Sequence, residues 1–291
     1  MFIVTYRKYF FAIAILGVLF ALFSITTKGF NVGMDFVGGS IIEVSYDTRP
    51  DIEVIKTALT GAGFENARVQ MAGESDVIVK TTALTEVQRQ ELTKALAVEN
   101  FAMEEKRFSS IGPTIGKELR TKAWIAITLV IIGIVLFLAF AFRKVSEPIA
   151  SWKYGAITTV TLLFDILIPV GAFTFLGKEI DALFIVALLA IMGLSVHDTI
   201  VVFDRIRENL KLKVSNDFPT VVGKSLGQTF TRSINTSVTI MLVLGVIFFF
   251  GPASTKDFSL LLWIGIFVGT YSSIFLASPL LVTLEKRQNK A

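Results

Sequence analysis

The sequence predicts a polytopic α-helical membrane protein: six transmembrane helices, with one external ferredoxin-like α+β domain between the first and second spans. Three observations predict it. Hydrophobic residues fill 53% of the 291 positions and charged ones only 18%, with mean hydropathy +0.67, whereas a soluble domain averages about 25% charged. Six apolar runs are long enough to cross a hydrocarbon core about 30 Å thick. One stretch of mixed polarity, Thr27–Thr121, stands apart from them and has the size of a small domain.

The first span is Tyr9–Ile25, preceded by Arg7 and Lys8. No small-x-small cleavage pattern follows Phe20–Phe23, so a retained signal anchor is expected. The remaining spans are Ala123–Phe142, Ala156–Leu176, Leu183–Phe203, Ile234–Phe250 and Phe258–Leu284. The last is long enough to tilt or to run past the membrane. Arg143, Lys144 and Lys153 follow span two. Arg205, Arg207, Lys211, Lys213 and Lys224 follow span four, and Lys286, Arg287 and Lys290 follow span six. The opposite loops hold Lys178, Glu179, Asp181, Lys256 and Asp257. The positive-inside rule then places both termini in the cytoplasm of a multi-pass membrane protein, with the Thr27–Thr121 segment outside. The expected divisions are 1–26 (N-terminus and first span), 27–121 (external domain), 122–284 (five further spans) and 285–291 (cytoplasmic tail).

Within 27–121, Ser40–Tyr46 alternates like a strand, and Asp51–Leu59 is helical after Pro50. Ala67–Met71 and Val77–Lys80 are short strands joined by Gly73-Glu-Ser75. Glu86–Val98 is a second helix and Ala102–Ser109 a last strand. The order β-α-β-β-α-β is that of the ferredoxin-like split unit. Asp35, Gly38 and Gly39 precede the first strand, where a glycine pair indicates a tight turn or a close backbone approach.

Composition removes several kinds of chemistry. Zero cysteines exclude disulfides, thiolate metal sites and cysteine nucleophiles, and a single histidine excludes a His-based metal cluster. No phosphate-binding loop, serine nucleophile elbow or HExxH occurs. No cofactor, metal or enzymatic reaction is expected. Any energy source would be the proton gradient, worth roughly 2.3 kcal/mol per charge per 100 mV.

Asp198 stands out because it lies inside the fourth apolar run, about 22 Å along a helix from Leu183. A centrally placed intramembrane Asp costs roughly 2.5–3.5 kcal/mol on insertion scales. A carboxyl between desolvation and a nearby cation can load and release protons. A structural anchor between helices is the competing role. Arg232 is the candidate cation, sharing a face of span five with Asn235, Thr236 and Thr239, a polar row expected to run inward along a bundle interior or a hydrated path; an interfacial arginine that only fixes topology is the alternative. Asp165 lies mid-span three with Pro169 four residues on, as a second proton site or an interhelical partner. His197 points about 100° away from Asp198; it either lines the same cavity, as a relay neighbour with Asn235, Thr236 and Thr239, or hydrogen-bonds a neighbouring helix, which is the preferred reading. Asp204–Arg207 and Arg205–Glu208 read as i,i+3 pairs on a solvated helix end.

Four segments carry a resemblance: GMDFVGGS after span one, GLSVHDTIVVFDRIREN at span four, TRSINTSVT at span five, and FSLLLWIGIFVGTYSSIFLASPLL at span six. Together they closely resemble the SecF family, related to resistance-nodulation-division transporters, and the resemblance covers nearly the whole chain. It implies a proton-motive-force-coupled accessory subunit that assists completion of protein export. The implied partners are a SecD-like subunit in a pseudo-symmetric heterodimer, the SecYEG channel, SecA and exported unfolded polypeptides, with YajC and YidC as further neighbours. It also implies a proton relay of Asp198, Arg232 and Asp165. The family's motif has Tyr and Asn where this chain has Leu194 and His197. Rival readings are a half-transporter moving small molecules or lipids by proton antiport, and a purely structural assembly subunit.

Overall fold

The computed structural model describes residues 2–73, 75–98, 101–141 and 151–288. Glu74 of the expected hairpin turn, Arg143, Lys144 and Lys290 lie outside the described residues. The chain forms two compact units, Val32–Trp124 on one hand and Met1–Asn31 with Ile125–Ala291 on the other. The first begins and ends a few residues later than the expected 27–121.

The Val32–Trp124 unit has the predicted order: β1 (Gly39–Tyr46), α1 (Ile52–Gly61), β2 (Arg68–Ala72), β3 (Asp76–Thr81), α2 (Glu86–Leu96) and β4 (Met103–Ile111). The sheet runs β2-β3-β1-β4 with every neighbour antiparallel. That is the strand order the split β-α-β-β-α-β unit requires. The alternation read in the sequence sends Ile42, Val44 and Tyr46 from β1 and Val77 and Val79 from β3 against Ile55, Leu59, Leu92 and Leu96 of the helices. Helix starts are capped by side chains. Asp51 accepts from the Glu53 amide, and Thr85 forms a capping box with Gln88, supplying acceptors to otherwise orphaned amides. The Tyr46 hydroxyl donates to the Leu96 carbonyl at 2.7 Å, and burial pushes its phenol up to about 12.

Gly38 and Gly39 make a close backbone approach, as expected. Gly38 has φ +90°, and a Cβ there would meet Pro113 Cα and N at 3.0 Å. At Gly39 a Cβ would lie 2.7 Å from the Thr81 carbonyl oxygen, and at Gly116 one would lie 2.9 Å from the Gly38 nitrogen. The pair therefore seats the start of β1 against β3 and the residues that open the second span.

In the other unit and its connections, six helices are long and apolar enough to cross a membrane among the described residues: Arg7–Lys28, Pro113–Ala141, Trp152–Phe175, Ala182–Lys211, Phe218–Phe250 and Ser254–Lys286. Span six is the central one, with 61% of its apolar window buried against 6% for span two. Small residues allow tight helix contacts: Gly171 of span three sits on the Ala21 backbone, and Gly265 and Gly269 of span six face Ile191 and Ser195 of span four. Lys178, in the loop between spans three and four, pairs at 2.7 Å with Asp257, which lies inside the start of span six and not in a loop.

Two helix starts and one end differ from the sequence boundaries by about two turns or more; the rest lie within about one turn. Span two begins at Pro113, not Ala123. Span four runs on to Lys211, and span five begins at Phe218, not Ile234. Hydropathy detects only the apolar part of a helix. Here the polar extension of span four packs on that of span five: Asn209 donates to Ser225 and to Gln228, both at 2.8 Å, over buried Ile206, Val221 and Val222.

Candidate functional site

Asp198 is partly buried on span four, and each carboxylate oxygen accepts a hydroxyl from a different helix. Ser233 of span five donates to Oδ1 and Ser273 of span six to Oδ2, each at 2.7 Å. Ser233 belongs to a stripe spaced four apart, Ser225, Thr229, Ser233 and Ser237, which is the buried face of span five. Ser273 is presented differently. Residues Ser272–Ala277 form a π-helical turn inside span six, a feature that interrupts α-helices mostly at functional positions.

Asp165 is fully buried on span three, and Ser195 of span four donates to its Oδ2. Its Oδ1 makes no hydrogen bond among the described residues. Span six closes on span four at the same level: a Cβ at Gly269 would lie 3.1 Å from Ser195 Cβ. Ser195 and Asp198 sit one turn apart on the same helix, so the two carboxyls are presented to neighbouring layers of one bundle. A further hydroxyl pair, Ser237 and Thr270 at 2.5 Å, bridges spans five and six.

A small cavity of about 50 Å³ touches Ser195, His197, Asp198, Thr236, Ser237 and Thr270. Its lining is mostly apolar, with Ile191, Leu194, Ile240 and Ile266 beside these polar groups, and its volume is enough for water, which needs about 10–15 Å³ per molecule. A second cavity of about 550 Å³ is lined by Val201, Asp204, Arg205, Glu208, Gln228 and Arg232 among others. The expected ion pairs are present at its wall, Arg205–Glu208 at 2.6 Å and Arg207–Asp204 at 2.9 Å. Arg205 also donates to Gln228 at 2.7 Å, tying the ends of spans four and five.

Of the residues singled out in the sequence, Asp165 bonds Ser195, one turn from Asp198 on span four, but Arg232 does not join them directly. Among the described residues no ion pair links it to Asp198, and its side chain opens into the larger cavity. The polar row on span five also needs correction. Arg232, Asn235, Thr236 and Thr239 lie on the exposed face, with the Thr236 and Thr239 hydroxyls turned back to the Arg232 and Asn235 carbonyls. The row that runs into the bundle is the serine and threonine stripe one position away. His197 is exposed and lines the small cavity from span four. Ser195, Ser233 and Ser273 escape a reading guided by charge, although the four-residue spacing of hydroxyls in span five is visible in the sequence.

The family model described as protein export membrane protein SecD/SecF, C-terminal, matches residues 91–287, and the SecD/SecF GG motif matches residues 23–48. Similar curated proteins include a protein translocase subunit SecF from Thermobaculum terrenum, 40% identical over 98% of this chain and 94% of that protein. Another, of the same name from Pseudomonas aeruginosa, is 34% identical over 96% of this chain and 89% of its own. Among solved structures, SecDF from Thermus thermophilus, described as a translocon-associated membrane protein, superposes with TM-score 0.86 at 32% identity. The match covers 97% of this chain and 38% of that one. SecDF in a super-membrane-facing form matches with TM-score 0.71, again over 38% of its length.

Proposed function

The chain belongs to the SecD/SecF family of protein export membrane proteins, and from that premise we propose that it is a proton-motive-force-coupled subunit of the Sec export machinery. Its role is to assist completion of polypeptide translocation across the cytoplasmic membrane. One observation carries the proton part: a carboxyl within a membrane-spanning helix, Asp198, has each oxygen held by a serine hydroxyl from a different helix. A hydroxyl donates to a carboxylate and accepts from a carboxylic acid, so both protonation states of Asp198 find partners. Asp165 is a second, more enclosed station reached through Ser195. Arg232, adjacent to Ser233 and open to the charged cavity, supplies positive potential on the side where Asp204–Glu208 meet water. His197, Asn235, Thr236 and Thr239 form the neighbouring polar surface.

The chain spans 38% of the SecDF chains it superposes on, which supports a SecD-like partner completing a larger membrane body. SecYEG, SecA and the exported polypeptide are the further partners of this reading, with both termini cytoplasmic. The deciding experiment is Asp198→Asn in membrane vesicles completing translocation of a precursor. Loss of the proton-gradient-dependent part, with subunit abundance retained, is the expected result. Unchanged gradient dependence would overturn the proposal.

A further inference from the structure

Ser273 has one proton and two acceptors. Its Oγ lies 2.7 Å from Asp198 Oδ2 and 3.1 Å from the carbonyl oxygen of Thr270, one turn earlier on the same helix. A serine hydroxyl donates to one of these at a time. Ser233 is not placed this way: its Oγ donates to Asp198 alone among the described residues, in regular α-helix. The backbone around Ser273 also differs. The π turn Ser272–Ala277 begins one residue before it, and the Ser278 hydroxyl reaches back 3.5 Å to the Ser273 carbonyl.

We propose that Ser273 is a positioning residue that couples the protonation of Asp198 to the geometry of the span-six π turn. The inference rests on Asp198 as proton carrier. With Asp198 ionised, Ser273 and Ser233 both donate to it, and span six is drawn to span four. When a proton binds Oδ2, the new O–H donates to Ser273 Oγ, whose own hydrogen rotates to the Thr270 carbonyl. The only bond made is the carboxyl O–H, and it breaks when the proton leaves. A π turn lacks the regular i→i−4 pairing, so a change of acceptor at its first residues can be absorbed there without disrupting a complete helical ladder.

The other groups around Asp198 leave this role to Ser273. Span four contributes exposed His197, span five contributes Arg232 beside Ser233, and span three contributes Asp165, engaged with Ser195. Span six carries no charged side chain between Asp257 and Glu285, and its Tyr271 hydroxyl donates to the Phe10 carbonyl at 2.7 Å. Hydroxyls are the polar groups span six can offer the site, and Ser273 is the one in contact.

The test is infrared difference spectroscopy, acid minus alkaline, on the full chain with its SecD-type partner in nanodiscs. In the unsubstituted protein a carboxyl band and an accompanying helical amide signal are expected, both lost in Asp198→Asn. In Ser273→Ala the carboxyl band should move to higher frequency, because one hydrogen bond is gone, and the amide signal should be lost. Ser273→Thr, which keeps a hydroxyl, should restore both, and Ser233→Ala should move the band but keep the amide signal. A Ser273→Ala protein with both features unchanged overturns the inference, as does failure of Ser273→Thr to restore them. If the unsubstituted protein shows no band that Asp198→Asn removes, the proton-carrier reading itself fails and takes the inference with it.

Discussion

Replacing Gly38 by alanine tests whether the glycine pair is a packing joint. At φ +90° an L-residue pays about 1–2 kcal/mol for left-handed backbone. The new Cβ would also press at 3.0 Å on Pro113 Cα and N and at 3.1 Å on the Ile111 carbonyl. These are backbone atoms that cannot rotate away, and overpacking of this kind costs about 1–3 kcal/mol. Together the two effects predict roughly 2–5 kcal/mol of local destabilisation, at least tenfold in the opening equilibrium of β1 and β3. Gly116→Ala meets the same joint from the other side, 2.9 Å from the Gly38 nitrogen, but gains about 0.5–1 kcal/mol of helix propensity, so its net effect is smaller. Gly112→Ala is the control, since a Cβ there meets nothing within 4 Å. Amide hydrogen exchange of the full chain, read over residues 39–46 and 76–81, reports that local opening directly. The reasoning is refuted if Gly38→Ala exchanges like the unsubstituted protein, or if Gly112→Ala is as damaging as Gly38→Ala.

Three further outcomes follow from the two units. Tyr46→Phe removes one of two donors to the Leu96 carbonyl, which keeps the Val98 amide at 2.9 Å, and should cost about 0.5–1.5 kcal/mol in a thermal or denaturant melt. The raised phenol of Tyr46 contributes stability that is full below pH 10.0 and lost as pH rises through about 12; Tyr46→Phe should remove that alkaline dependence. Lys106, the unmatched residue at the bulge opposite Glu43 and Val44, reaches Asp76 at 2.7 Å, and this hydrogen bond is the first cause holding the Asp76 carboxyl below its usual 3.8. Its contribution is present above that value and disappears as pH falls through the lowered one, so Asp76→Asn should flatten the acid dependence of exchange in β3. Gly171→Ala places a methyl on the Ala21 backbone and should lower the melting temperature in detergent, whereas Gly155→Ala, with open space around it, should be neutral or mildly stabilising; equal effects would refute the close contact of spans one and three.

The parts legible in the sequence are those governed by periodicity and composition. Alternation in Ser40–Tyr46 and the Gly73–Ser75 turn define strands because one face must enter the core formed by Ile55, Leu59, Leu92 and Leu96. Runs of apolar residues define spans because the bilayer demands them. The polar extensions of spans four and five are hidden, since Asn209, Ser225 and Gln228 look like loop residues until they satisfy one another. At the site, Asp198 and Asp165 are visible as intramembrane charges. Their donors are not, because a serine in an apolar helix usually bonds its own i−4 carbonyl, as Ser237 does to Ser233. Only helix packing and the π turn decide that Ser233 and Ser273 face Asp198. The pairing of Asp198 with Arg232 looked natural from charge alone, but the serines occupy both carboxylate oxygens.

Hydroxyl shells suit repeated proton loading better than a direct ion pair, which in a low-dielectric site is costly to break once formed. They also leave a surface to account for. His197 and Asn235 are exposed, and among the described residues neither side chain makes a hydrogen bond. Facing lipid, an amide or imidazole without a partner costs on the order of 2–7 kcal/mol each. A SecD-like helix covering this surface would remove that cost, and the absence of native cysteines makes the test clean. A single cysteine at Leu194, exposed on the same side of span four, should cross-link to the partner's facing span when the complex is assembled in native membranes. One at Phe249, also exposed but on the apolar end of span five, should not. Cross-linking at 249 with none at 194 would place the partner elsewhere and leave the polar face to be explained by another occupant.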